Sequence, residues 1–226
     1  MQKVFTLMLA LAFPATAILA QNKKTIFYDS AGKVTTFEGH WAQVVEGRYK
    51  SVYNRTENAK TLVRMTKTEF EAELARTEKR IRKTYKVGTE FPDFDVLDID
   101  GNRITKDALK GKVIVLNFWF IGCAPCEMER PALNELQKRY AENDDVVFIA
   151  FANNNKEQLD KFLADHPIRY VVIPTEKGFV KQVFELNSYP ANIVVGKDGK
   201  FFFNSLASGI GIATILQREI DKALKN

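Results

Sequence analysis

The sequence predicts an α/β domain built on a mixed central sheet flanked by helices, preceded by a small β-rich appendage and a linking helix. Three observations carry that prediction. Short apolar runs alternate with helix-compatible segments from Val113 to Leu224. The run Val113-Ile114-Val115-Leu116 is apolar without interruption, as a strand covered on both faces should be. The last two strand-like runs flank Gly196-Lys197-Asp198-Gly199, which fits an antiparallel hairpin rather than another crossover.

At 226 residues and 46% hydrophobic content, the chain can fill one large core, or one standard core with an appendage. Residues 1–20 are different in kind. Lys3 gives a short positive start, Val4 to Ile18 is almost wholly apolar, and both Ala15-Thr16-Ala17 and Ala20-Gln21 offer small-residue cleavage sites. That is the pattern of a secretory signal peptide. A membrane-spanning helix needs about 20 apolar residues; this run is shorter and contains Pro14. No cysteine stands at either cleavage point, so a lipid anchor is not indicated. A bacterial-type export signal predicts a periplasmic mature protein, in a compartment where disulfides persist. The net charge of +5 is modest, and Lys and Arg are scattered among acidic residues. The densest patch, Arg76 to Lys86, includes Glu78 and reads as a solvated helical face, so nucleic-acid binding is not expected.

Residues 21–86 read as short strands and turns followed by a helix. Thr25 to Tyr28 and Val34 to Phe37 flank Asp29-Ser30-Ala31-Gly32-Lys33 and suggest a hairpin. Trp41 to Val45 and Arg48 to Tyr53, around Glu46-Gly47, suggest a second. Thr68 is placed to cap a helix, with Glu71 completing a capping box. Phe70, Leu74, Ile81 and Tyr85 then fall on one stripe, a narrow seam that lays the helix on the surface of a body. His40 beside Trp41 reads as a packed strand-end pair rather than a ligand. The region holds no catalytic cluster, and its expected role is to modulate partner recognition or assembly.

Lys86-Val87-Gly88-Thr89-Glu90 marks the linker into residues 87–226. Phe94 to Leu97 and Arg103 to Thr105, joined through Asp98 to Asn102, form a leading hairpin. Val113 to Phe118 is the first central strand. The helix after it reaches Tyr140, carries Met128, Leu133 and Leu136 inward, and is kinked at Pro131, which lacks an N–H. A strand at Val146 to Phe151 follows, then a helix at Glu157 to Ala164 that Asn153 to Asn155 can cap. His166 before Pro167 reads as a loop residue. A strand at Tyr170 to Ile173 and a short helix at Phe179 to Phe184 come next. The hairpin of Ala191 to Val195 and Phe201 to Asn204 leads to a closing helix, Ile212 to Leu224, with Ile212, Ile215, Leu216, Glu219 and Ile220 near one face.

Cys123 and Cys126 are the only cysteines in the chain, and they stand at the junction of the first central strand and its helix. Unpaired N–H groups and the positive end of the macrodipole favour a thiolate there. The thiolate is the attacking form, so Cys123 is the expected nucleophile, exposed and of lowered pKa. Cys126, one turn on, is expected to be more buried and to resolve a mixed disulfide from within. Half a zinc site is the plain alternative, but zinc needs two more ligands, and His40 and His166 lie far apart in sequence. An inert structural disulfide usually closes a longer loop. Position and spacing select a redox-active pair that needs no further cofactor.

Several separated motifs, in order, carry a family resemblance: Val115-Leu116-Asn117-Phe118-Trp119, Cys123-Ala124-Pro125-Cys126 and Pro131. To these add Gly88 through Phe94, Asp98-Ile99-Asp100-Gly101, Ser188-Tyr189-Pro190 and Lys197-Asp198-Gly199. They are similar to the thioredoxin superfamily, and within it to the TlpA/ResA-like thiol–disulfide oxidoreductases of the extracytoplasmic AhpC/TSA-redoxin-type branch. The resemblance runs from about Val87 onward and implies a thioredoxin-like fold. Gly122 departs from it, since a Trp is usual before the first cysteine. Asn117 departs from thioredoxin itself, which has a buried Asp there.

An amide cannot accept the proton that Cys126 must lose, so the resemblance passes that role to Glu129, which matches a Glu that ResA-like proteins use near the Cys pair. A first-turn Glu favoured by the helix dipole is the plain alternative. Glu127 and Arg130 are expected to face solvent. Pro190 resembles the cis-proline that faces the Cys pair, exposing the backbone of Tyr189 as an edge for an extended substrate chain. Trp119 and Phe120 are placed to wall the site, with Trp119 serving equally well as core filler. The resemblance implies an exported reductant acting on protein thiols and disulfides, apocytochrome c among them. It would be regenerated by a membrane thiol-reductant carrier of the DsbD/CcdA type. Two other classes stand beside it. A thiol peroxidase would carry a Pro-x-x-x-Thr/Ser-x-x-Cys setting, which does not precede Cys123; a partner-binding module would carry the disulfide incidentally.

Overall fold

The computed structural model describes residues 25–83 and 86–226. Residues 1–20, read above as an export signal, and Tyr85 of the helix stripe lie outside the described residues. Among the described residues, no helix is long and apolar enough to cross a membrane.

The appendage comprises β1 (Ile26–Tyr28), β2 (Val34–Thr35), α1 (Phe37–Val45), β3 (Tyr49–Asn54), β4 (Ala59–Arg64) and α2 (Lys67–Ile81), followed by β5 (Arg82–Lys83). Its sheet runs β2-β1-β4-β3, with β1 parallel to β4 and the other pairs antiparallel. The first predicted hairpin is present, tied by Asp29, whose Oδ1 accepts from the N–H groups of Ala31 and Lys33. It stops at Thr35 because Thr36 is extended and caps α1, accepting from the Gly39 N–H at 3.0 Å. The second predicted hairpin is overturned. Trp41 to Val45 is helical, and Tyr49–Asn54 pairs instead with Ala59–Arg64. His40 fixes that outcome: fully buried, its ring spans from the Tyr28 carbonyl (Nδ1, 2.7 Å) to Ser51 Oγ (Nε2, 2.8 Å), joining α1 to two strands. The cap of α2 is Thr66, not Thr68, with Glu69 closing the capping box.

The second part contains β6 (Asp95–Leu97), β7 (Arg103–Thr105), β8 (Val113–Trp119), α3 (Ala124–Arg139), β9 (Val146–Ala152), α4 (Lys156–Asp165) and β10 (Val171–Pro174). It ends with α5 (Phe179–Phe184), β11 (Ala191–Val195), β12 (Phe201–Ser205) and α6 (Ile212–Ala223). These elements follow the predicted order closely, and β6 with β7 forms the small leading hairpin. The central sheet has six strands in the order β10-β9-β8-β11-β12-β5. β8, β9 and β10 are parallel; β11, β12 and β5 alternate in antiparallel fashion. Every residue of β8 is buried. Because strand side chains alternate in direction, Val113 and Val115 enter the core that also holds Leu133, Leu136, Ile215, Leu216, Leu74 and Ile81. Ile114, Leu116 and Phe118 point the other way, into a core rich in phenylalanine with Phe91, Phe151 and Phe184. β5, two residues directly after α2, reaches across to pair Arg82 with Ser205 and Lys83 with Asn204.

Candidate active site

The chain leaves β8 at Trp119, turns through residues 120–122 and enters α3 at Cys123, which is the extended N-cap residue. Gly122 has φ +88°, a backbone conformation that a side chain with a Cβ adopts only with strain. The turn is held from two directions. Asn154 Oδ1 accepts from the Ile121 N–H at 2.8 Å, and Glu127 Oε1 accepts from the Gly122 N–H at 3.0 Å. Glu127 is thus part of the loop's frame rather than a solvent-facing acid. Arg130 also departs from expectation. It is half-buried, with its guanidinium 5.4 Å from the Phe162 ring centroid and Nη2 3.2 Å from His166 Nδ1. Phe162 lies within reach because α4 packs its apolar face beside the Cys loop.

Cys123 and Cys126 form a disulfide with Cα atoms 5.3 Å apart. The expected contrast in exposure is absent in this oxidised form, where Cys123 is 5% and Cys126 4% exposed. The reason is local. Both sulfurs sit in an apolar cluster with Trp119, Ala150, Ala152 and Leu159, against which Phe120, Tyr170 and Tyr189 pack. Trp119 is itself buried, 5.6 Å from the Phe162 ring, so it is core beneath the pair as much as wall beside it. Phe120 meets Tyr189 edge to face at 5.3 Å.

The Tyr189–Pro190 peptide is cis. Ala191 stands opposite Phe118 in the β11–β8 register, so Pro190 lies at the level where β8 ends and the Cys loop begins. Tyr189, from a segment more than sixty residues away in sequence, thereby packs against the cluster that holds the disulfide.

Glu129 is fully buried on α3, in its second turn, which removes the reading of a first-turn surface acid. Its Oε1 accepts from Asn192 Nδ2 at 2.9 Å and from Asn117 Nδ2 at 3.3 Å, and Asn117 also donates to Asn192 Oδ1 at 2.9 Å. Asn117 on β8 and Asn192 on β11 face each other in register. Burial pushes the Glu129 carboxyl up to about 7, against the opposing pull of the Asn192, Ser208 and Asn117 side chains. Glu129 Oε2 makes no hydrogen bond, nor does the buried Ser208 Oγ. Sequence reasoning noticed Asn117 only as a missing base and missed Asn192 and Ser208. A buried-strand Asn two residues after Pro190 was the available signal for the former. Among the described residues, no group of three or more His, Cys, Asp or Glu side chains could hold a metal ion.

A family model described as AhpC/TSA family matches residues 87–201. The thioredoxin-like protein YneN of Bacillus subtilis is 28% identical over 139 residues, covering 61% of this chain and 78% of that protein. The thiol–disulfide oxidoreductase ResA of Bacillus cereus is 29% identical over 119 residues, 53% of this chain and 69% of its own. Among solved structures, a thiol:disulfide interchange protein of the thioredoxin family from Chlorobium tepidum superposes with a TM-score of 0.51 at 22% identity. It covers 60% of this chain and 96% of its own, and at that identity it speaks for the fold alone.

Proposed function

The chain belongs to the AhpC/TSA family and is a thiol–disulfide oxidoreductase of thioredoxin-like fold, and from that membership we propose that it works as an exported reductant of protein disulfides. The observation that carries the reading is the disulfide at the N-terminus of α3, in an apolar cluster against which Tyr189, the residue before a cis proline, packs.

In the reduced enzyme the Cys123 thiolate attacks one sulfur of a substrate disulfide. The substrate's S–S bond breaks, a mixed disulfide forms, and one substrate thiolate leaves. Cys126 then gives up its proton and attacks the Cys123 sulfur, releasing the second substrate thiol. The substrate gains two electrons, and the enzyme is left with the Cys123–Cys126 disulfide. Glu129 is assigned as the acceptor of the Cys126 proton. A carboxyl held near 7 can both take and return a proton at neutral pH. The Tyr189 backbone beside Pro190 offers an edge for an extended substrate segment, and Trp119 supports the floor beneath the pair. Export to the periplasm, apocytochrome c as a substrate and re-reduction by a membrane thiol-reductant carrier complete the reading.

The test is the equilibrium reduction potential of the Cys123–Cys126 pair, read by alkylation shift across a series of thiol buffers. A value near about −270 mV marks a reductant, and Cys126→Ser should then trap clients as mixed disulfides. A value near about −120 mV marks an oxidant and overturns the proposed direction.

A further inference from the structure

A cavity of about 470 Å³ opens between the appendage and the redox body. Its walls are the turn between α1 and β3, the join of β4 to α2, the second half of α3 and the first turn of α6. Four cations stand around it: Arg48, Arg64 and Lys67 from the appendage and Arg139 from α3. Two acids, Glu46 and Glu135, share the lining, which leaves a surplus of two positive charges. Among the described residues none of these six side chains is ion-paired. The acids at the start of α2 are already taken, Glu69 by Lys50 and the Thr66 N–H, Glu71 by Arg218. Arg139 donates from Nη1 to Gln217 Oε1 at 2.5 Å, which anchors its guanidinium beside α6 and leaves the rest of its donor fork for another acceptor. The apolar lining is fixed in place. The Phe70 ring lies so close to Gly47 that a Cβ there would overlap it. Met65 and Leu136 are buried, and the Met65 N–H donates to the Arg48 carbonyl at 3.0 Å, tying two of the walls together.

We propose that this cavity binds a small organic molecule carrying two negative charges on an apolar body, and that the molecule bridges the appendage to α3. A guanidinium presents a planar fork of donors that matches the paired oxygens of a phosphate or carboxylate, so Arg48 and Arg139, one from each part, suit an anionic head. A phosphate monoester carries about two negative charges once its second proton is lost, near pH 6, and so matches the surplus. Phe70, Met65 and Leu136 suit the apolar body, which gains by leaving water. The volume falls within the range of about 300–1,000 Å³ found for sites that take small molecules. A solvated charged face has neither this concavity nor an apolar floor within it. The site stands apart from the redox chemistry, since Arg139 lies thirteen residues beyond Cys126, about 20 Å along α3.

The experiment is isothermal titration calorimetry of the oxidised full chain, at about pH 8 and low salt, with naphthyl phosphate, naphthol and inorganic phosphate as probes. Naphthyl phosphate is expected to bind saturably at one site. Naphthol and inorganic phosphate should each bind at least about tenfold more weakly, because each lacks half of the recognised chemistry. Arg48→Ala and Arg139→Ala, both at exposed positions, are each expected to weaken naphthyl phosphate by about fivefold or more while leaving the melt of the unliganded protein in place. No saturable binding of naphthyl phosphate overturns the site. Naphthol binding as tightly shows an apolar crevice without charge recognition, and inorganic phosphate binding as tightly shows an adventitious ion only; either overturns the ligand class. Full affinity in both variants places the probe elsewhere and overturns the site as well. A loss in one variant alone confines the molecule to one part and overturns the bridge. Should an alanine variant fail to fold, Arg48→Gln or Arg139→Gln takes its place and is read in the same way.

Discussion

A buried carboxyl without a cation costs free energy chiefly when it is ionised, and Glu129 is placed where that cost changes with pH. Its ordinary value of 4.5 applies to the unfolded chain, while burial raises it to about 7 in the folded one. Between these values the folded state binds more protons than the unfolded state, so stability falls as pH rises from about 4.5 to about 7 and levels off above. The full loss is on the order of 3 kcal/mol. Glu129→Gln keeps an acceptor for the Asn192 and Asn117 amides and removes the charge. Urea unfolding should find this variant more stable than the parent at pH 8, with the gain shrinking toward zero at pH 4. A stability difference independent of pH would show that the carboxyl does not titrate inside the protein. The two asparagines make the site workable, because both donate to Oε1 and leave Oε2 open to a proton.

At the level of elements, local chemistry separates two candidate caps for α2. Thr66→Ala removes the hydroxyl that accepts from the Glu69 N–H and should cost about 1 kcal/mol, whereas Thr68→Ala should stay within about 0.5 kcal/mol. Thermal melts of the two variants decide it, and equal shifts would refute the assignment. The same contrast explains what was legible beforehand. β8, β9, β11, β12 and α6 announce themselves by unbroken apolar runs or by a helical stripe, because a central sheet and its covering helices impose those periods. The Cys pair was legible because its chemistry depends on position at a strand–helix junction. The appendage was less so. Trp41 to Val45 is rich in aromatic and β-branched residues and reads as a strand; it is helical because Thr36 caps it and buried His40 bonds to two strands, neither visible as a period. β4 was missed, and so was β5, which is two cationic residues recruited by Asn204 and Ser205 across the sheet. Asn192 joins the site only through its register with Asn117, a pairing that no local pattern encodes.

On the scale of the whole molecule, the appendage and the redox body share structure rather than merely touching. β5 extends the central sheet, and Leu74 and Ile81 of α2 lie in the same core as Leu133, Leu136, Leu216 and Ile220. Arg82 bridges Glu78 of α2 and Glu219 of α6 while its guanidinium lies 4.8 Å from the Phe203 ring centroid. A core crossing the junction in this way predicts one cooperative unfolding transition. The chain supplies its own reporters, since its two tryptophans fall one in each part: Trp41 in α1 and Trp119 at the end of β8. Trp41→Phe and Trp119→Phe should therefore each give a fluorescence melt whose midpoint coincides with that variant's own loss of far-ultraviolet circular dichroism. Ile81→Ala, at a fully buried position, should cost about 2–5 kcal/mol and lower both midpoints together by roughly 5–15 °C. If the Trp41 signal melted first and left the Trp119 transition in place, the two parts would be separate folding units. Residues 205–211, tied to the appendage by the Arg80 bond to the Ser208 carbonyl and by the Gly211 N–H bond to the Val45 carbonyl, would then come loose before the sheet opened.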